Sequence, residues 1–162
     1  MQLRIVVAAL LFSLAAFPVF ADGVFVEAGT GLLYSTGTNA TLARYQHDTS
    51  RLFGLESFYE ASYASWSGLD HNEAIGFARG LRWEYERNVS LTADMGAAHI
   101  TRTTGHLGTP FQFVFRFSWD KRFGPADLSV GWIHYSNGKF IFHWAGTNDS
   151  ENFLTLSLGM FF

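Results

Sequence analysis

The chain has 162 residues, enough for one domain with a sizeable core, and carries 11 Lys and Arg against 14 Asp and Glu, a formal charge of −3. The acidic balance and the lack of a basic patch argue against a nucleic-acid partner. There is no cysteine, so no disulfide braces the fold, yet 17 Phe, 6 Tyr and 5 Trp are many for a small soluble protein and suit the aromatic girdles of a membrane barrel.

Residues 1–21 read as a secretory signal peptide. Arg4 supplies the positive start, Ile5 to Phe20 is almost wholly apolar, and Val19 and Ala21 put short side chains at −3 and −1 of a cut before Asp22. The run is short for a membrane helix, and no basic stop-transfer signal follows it. Cleavage would leave 10 basic and 14 acidic residues, a charge of −4. Beyond Ala21 no stretch of about 18 apolar residues exists, so a spanning structure would have to be a closed barrel of alternating strands.

Such strands recur along the chain. The spacing predicts them at Val24–Tyr34, Thr41–Asp48, Leu55–Trp66, Glu73–Tyr85, Val89–Arg102, Phe111–Asp120, Leu128–Ser136 and Asn152–Phe162. Glu86-Arg87-Asn88 and Lys121-Arg122-Phe123-Gly124 read as short turns on the periplasmic side. Ser67–Asn72, Thr103–Pro110 and Asn137–Asp149 read as longer external links, alternating with the turns as an up-and-down barrel requires. The expected fold is therefore all-β, an eight-stranded antiparallel up-and-down transmembrane barrel over residues 22–162. In the fourth strand Arg79 breaks an otherwise apolar face of Ile75, Phe77, Leu81 and Trp83. Glu56, Glu60 and Asp94 are expected in the lumen, paired with arginines such as Arg82 or Arg116.

Phe111–Asp120 is the clearest strand. Phe111, Phe113, Phe115, Phe117 and Trp119 share one face, and Gln112, Val114, Arg116, Ser118 and Asp120 share the other, which fits lipid outside and a polar lumen inside. The last strand puts Leu154, Leu156, Leu158, Met160 and Phe162 on one face. Its terminal aromatic resembles the assembly signal of outer-membrane barrels.

Leu128, Val130, Trp132, His134 and Ser136 also share a face by period two. The apolar members make it the lipid face, so a histidine and a serine would point outward near the outer end of the strand. Residues i and i+2 on a strand are near enough for a serine hydroxyl to meet an imidazole, the pairing a serine nucleophile needs from its general base. Spacing alone leaves open that the two are merely interfacial polar residues.

His134-Tyr135-Ser136-Asn137 on the penultimate strand, then Thr147-Asn148-Asp149, then a last strand ending at Phe162, resembles the PagL-type lipid A 3-O-deacylases. The resemblance implies an outer-membrane ester hydrolase acting on lipid A of lipopolysaccharide, with Ser136 as nucleophile, His134 as base, and oxyanion or substrate-binding donors near Asn137 and Asn148. In that family an acidic residue orients the histidine from the start of the last strand. Here an ungapped match puts Asn152 at that position, on the outward face by alternation. Glu151 should point inward, and Asp149 is a third choice. The resemblance implies no metal or organic cofactor and leaves homodimer formation open. His47, His71, His99, His106 and His143 show no metal-ligand spacing. Two rivals remain: a non-catalytic outer-membrane barrel with a structural or surface-binding role, and an exported lipocalin-like barrel with an apolar interior.

Overall fold

The computed structural model describes residues 22–139, 143 and 146–162. The expected signal peptide at 1–21 and the loop residues Phe140, Ile141, Phe142 and Trp144 lie outside the described residues. Period-two alternation gives eight strands: β1 (Asp22–Gly31), β2 (Asn39–Leu52), β3 (Leu55–Ser67), β4 (Asn72–Glu86), β5 (Val89–Ile100), β6 (Phe111–Phe123), β7 (Ala126–Ser136) and β8 (Glu151–Phe161). Each pairs antiparallel with the next, and β1 pairs with β8 to close the barrel. The seam extends to the last residue, where Asp22 N–H donates to Phe162 O at 3.1 Å and Phe162 N–H donates to Asp22 O at 2.9 Å. Closure removes the sheet edges that lipid could not satisfy.

Several strand ends differ from the sequence expectation. β5 ends at Ile100 rather than Arg102, and β6 and β7 extend to Phe123 and Ala126, so Lys121, Arg122 and Phe123 of the expected turn are paired strand and the turn is Gly124-Pro125. β1 stops at Gly31 rather than Tyr34, because Leu33 takes φ 55° and Leu33–Ser35 form a 3-10 turn. A Cβ on Gly31 would lie 1.8 Å from the Ser35 carbonyl oxygen, so the chain doubles back over a position that only glycine fits. β2 runs on to Leu52, past the expected end at Asp48, with a register shift between Thr49 and Leu52.

The outer surface is apolar where the alternation places it. Phe111, Phe117 and Trp119 of β6 and Leu154, Leu156, Leu158 and Met160 of β8 are exposed, as a lipid-facing wall requires. Toward the short-turn end, Trp83, Tyr85, Trp119 and Phe123 form part of an aromatic girdle, with Trp119 Nε1 donating to the Tyr85 hydroxyl at 2.9 Å. Arg79 does face outward. Its guanidinium lies 5.1 Å from the Tyr59 ring centroid, and Nη1 donates to the Tyr59 hydroxyl at 3.3 Å. The tyrosine gives the cation an aromatic face and an acceptor where lipid offers neither.

The lumen holds the ionic cluster the sequence pointed to, with members it had not singled out. Glu60 accepts from Arg116 Nη1 at 2.8 Å and from Arg44 Nη1 at 2.7 Å, and Arg44 also pairs with Glu27. Gln46 bridges Glu60 and Arg82, and Arg82 Nη1 lies 3.6 Å from Glu56. Asp94 lies in the lumen opposite Arg116 in register. Glu27, Glu60, Arg44 and Arg116 are paired as buried charges require, whereas the Asp94 carboxyl has no hydrogen-bond partner among the described residues, so the expected pairing with an arginine is not made there. The lumen is not polar throughout. Toward the long-loop end it is filled by Leu42, Trp66, Ile100, Leu107, Ile133, Tyr135 and Phe153, with the Trp66 and Tyr135 rings 5.3 Å apart. The space lined by Phe25, Arg44, Arg82 and Asp120 has a volume of only about 10 Å³, room for about one water. Neither that space nor one of about 70 Å³ lined by Glu56, Arg82 and Arg122 could admit an acyl chain, and the exterior is apolar, so the lipocalin-like reading fails.

Candidate active site

β7 carries His134 and Ser136 outward at its long-loop end, and β8 carries Asn152 outward beside them. The register makes His134 and Asn152 direct cross-strand partners. Their side chains meet, with His134 Nδ1 and Asn152 Oδ1 2.9 Å apart. Accepting from Nδ1–H, the amide oxygen keeps the proton there and leaves the other ring nitrogen free as an acceptor. Trp132, one step down the same face, stacks on the imidazole with centroids 5.4 Å apart, and Phe115 of β6 lies 6.2 Å away. The imidazole is thus oriented by one hydrogen bond and two rings, while staying only half-buried.

Ser136 ends β7; its Oγ–H donates to Asn148 Oδ1 at 3.3 Å, and two donors face the oxygen. Asn148 Nδ2 donates to Oγ at 2.9 Å, and Gly138 N–H donates at 3.3 Å. Asn148 is itself held, because its Oδ1 accepts from Asn137 N–H at 3.1 Å. Ser136 and His134 share a face, but no hydrogen bond joins them in this structure. Such contacts commonly close only when substrate is bound.

Asn137 is fully buried and its donors are turned away from Ser136. Its Nδ2 donates to Thr147 O at 2.8 Å, and its Oδ1 accepts from Lys139 N–H at 3.0 Å, so it staples the two ends of the 137–150 loop. The 101–110 loop adds a second brace. Leu107 forms an isolated bridge with Asn148, and Gly108 N–H donates to Thr147 O at 2.9 Å.

The structure separates the three residues considered as the histidine's orienter. Asn152 reaches it. Glu151 points into the lumen, buried, with its carboxyl hydrogen-bonded by Ser35. Asp149 is exposed in the loop, and its N–H donates to His106 O at 2.9 Å. Sequence reasoning had not singled out Gly138, whose N–H faces Ser136 and whose φ is 70°. The Ser136-Asn137-Gly138 turn triplet was the available signal. Among the described residues, no group of three or more His, Cys, Asp or Glu is arranged to hold a metal ion.

Residues 37–161 match the family model described as Lipid A 3-O-deacylase (PagL). Among solved structures, the crystal structure of the outer membrane enzyme PagL is 18% identical, with a TM-score of 0.65 over 85% of this chain and 98% of that one. The N-terminal β-barrel domain of Pseudomonas aeruginosa OprF is 10% identical, with a TM-score of 0.59 over 89% of this chain and 100% of that one. Yersinia pestis Ail is 8% identical, with a TM-score of 0.57 over 89% of this chain and 100% of that one. No curated protein matches the sequence. At these identities the structural likenesses speak for the fold alone.

Proposed function

The chain belongs to the family of lipid A 3-O-deacylases that includes PagL, and from that premise we propose that it hydrolyses an ester-linked acyl chain of lipid A, at the 3-O position, by a Ser136/His134 mechanism. It is an outer-membrane β-barrel, so its lipid-facing wall lies in the same layer as that substrate. The observation that carries the mechanism is the outward row of Ser136, His134 and Asn152. Its imidazole is oriented at 2.9 Å, and the serine hydroxyl faces two hydrogen-bond donors. The site opens laterally, so an acyl ester reaches it from the leaflet without entering the packed lumen.

In this reading Ser136 Oγ attacks the ester carbonyl as His134 takes its proton. The carbonyl oxygen becomes an oxyanion, and Asn148 Nδ2 and Gly138 N–H, already aimed at Oγ, donate to it after a small shift. The tetrahedral intermediate expels the sugar alkoxide, which takes the proton from His134 and leaves as an alcohol. Water, deprotonated by His134, then cleaves the acyl–Ser136 ester and releases the free fatty acid. Asn152 holds the ring in one tautomer, though an amide stabilises imidazolium less than a carboxylate does. The 22–162 barrel is then the exported mature chain, with 1–21 its cleaved signal.

A fluorophosphonate lipase probe tests the nucleophile directly. The folded parent should label at Ser136, Ser136→Ala should not label, and His134→Ala should label far more slowly. Equal labelling of all three would reject the assignment and leave a non-catalytic barrel.

A further inference from the structure

Ser35 lies in the loop after β1, far from the site in sequence and fully buried in the fold. Its hydroxyl accepts from the backbone N–H of Asn152 at 2.9 Å and hydrogen-bonds the Glu151 carboxyl on the other side of the same strand. Leu32 N–H donates to Asn152 O at 2.8 Å, so both backbone groups of Asn152 are bound by this one loop. The serine is itself fixed at both ends. Its N–H donates to Leu32 O at 3.0 Å, and its carbonyl accepts from Thr38 N–H at 3.0 Å. The turn that puts it there requires Leu33 at φ 55°, a left-handed conformation that residues with a side chain rarely adopt.

We propose that Ser35 is a positioning residue for the imidazole: it fixes the first residues of β8, so that the Asn152 amide meets His134 Nδ1 outside while Glu151 stays inside. The proposal rests on the reading of His134 and Ser136 as base and nucleophile. Asn152 is the second residue of β8, where a strand end would otherwise fray, and an orienting group on a frayed end holds nothing. The loop replaces the missing ladder with three hydrogen bonds, to Asn152 N–H, Asn152 O and Glu151. The side-chain alternation of β8 is thereby set at its first residue, because a one-residue slip would send Asn152 into the lumen and Glu151 toward His134.

A double-mutant cycle in detergent micelles tests this, with the parent, Ser35→Ala, Asn152→Ala and the double variant assayed for acyl release from lipid A. The histidines are labelled with 15N, and the His134 resonance is assigned by its loss in His134→Ala. Ser35→Ala should lower kcat about 10- to 100-fold, the range for partners that orient a functional imidazole, with KM near the parent value. The double variant should be no slower than Asn152→Ala alone, since both changes break one chain of contacts. The Nδ1 proton of His134, sharp in the parent, should broaden or vanish in Ser35→Ala. Multiplicative rate losses, or an unchanged Nδ1 resonance, would overturn the proposal. If the parent itself releases no acyl chain, the deacylase reading fails while the resonance still decides for or against Ser35.

Discussion

Replacing Asn152 by aspartate should make the protein faster. The carboxylate is nearly isosteric with the amide, and one of its oxygens occupies the place of Oδ1, 2.9 Å from His134 Nδ1. With the native asparagine the acceptor is neutral, and a hydrogen bond of that kind contributes about 0.5–1.5 kcal/mol; one to a charged group contributes about 1.5–3 kcal/mol. The difference appears when His134 becomes imidazolium in the transition state, so about 1 kcal/mol of it acts on the barrier after the cost of burying the new charge. At about 1.4 kcal/mol per tenfold, kcat should rise roughly fivefold. Asn152→Ala marks the other end of the scale. It strands Nδ1–H on a half-buried ring, at about 1–3 kcal/mol, and should slow the reaction about 5- to 150-fold. Initial rates of fatty-acid release from lipid A in mixed micelles, with folding checked by circular dichroism, read both. Asn152→Asp no faster than Asn152→Ala, or Asn152→Ala equal to the parent, would refute the role given to this residue.

Asn148→Ala removes the donor 2.9 Å from Ser136 Oγ and should cost about 100- to 1000-fold in kcat with little change in KM, read from steady-state kinetics. Glu60→Gln leaves the guanidinium groups of Arg44 and Arg116 short of their shared carboxylate and should destabilise the barrel by about 3–5 kcal/mol, read as a lower denaturant midpoint. Arg79→Leu should do the reverse. Arg79 is mid-strand and lipid-facing, where an arginine costs about 2–4 kcal/mol, and losing its Tyr59 contacts gives back only about 1 kcal/mol, so the midpoint should rise with activity unchanged.

The barrel was legible because lipid on one side and a filled lumen on the other force each strand into strict alternation. The Phe111–Asp120 run states it plainly, and the β7 and β8 parities alone put His134, Ser136 and Asn152 outside and Glu151 inside. Alternation could not reveal what the lumen does at each height. The apolar plug of Trp66, Tyr135 and Phe153 uses the inward positions that would otherwise be polar. Arg44 and Glu27 sit on strands whose outward faces mix Val26 and Tyr45 with Ala28, Thr41, Ala43 and His47, so their faces gave a weak signal. The turn after β1 was hidden for a different reason. Leu32-Leu33-Tyr34 has strand composition, and the turn that gives Leu33 its positive φ is tied down by hydrogen bonds of Leu32 and Ser35 with Asn152 on β8. Gly138 and Ser35 offer a backbone N–H and a side-chain contact with the adjoining strand β8, neither of which leaves a pattern in a single sequence.

The central claim meets its most direct test in the mass of lipid A. Cells expressing the parent protein should be compared with cells expressing Ser136→Ala and His134→Ala, all inserted in the outer membrane to the same level. The account requires loss of one hydroxyacyl group from lipid A with the parent and its retention with both variants. Unchanged lipid A in all three, with the barrel folded, would contradict it.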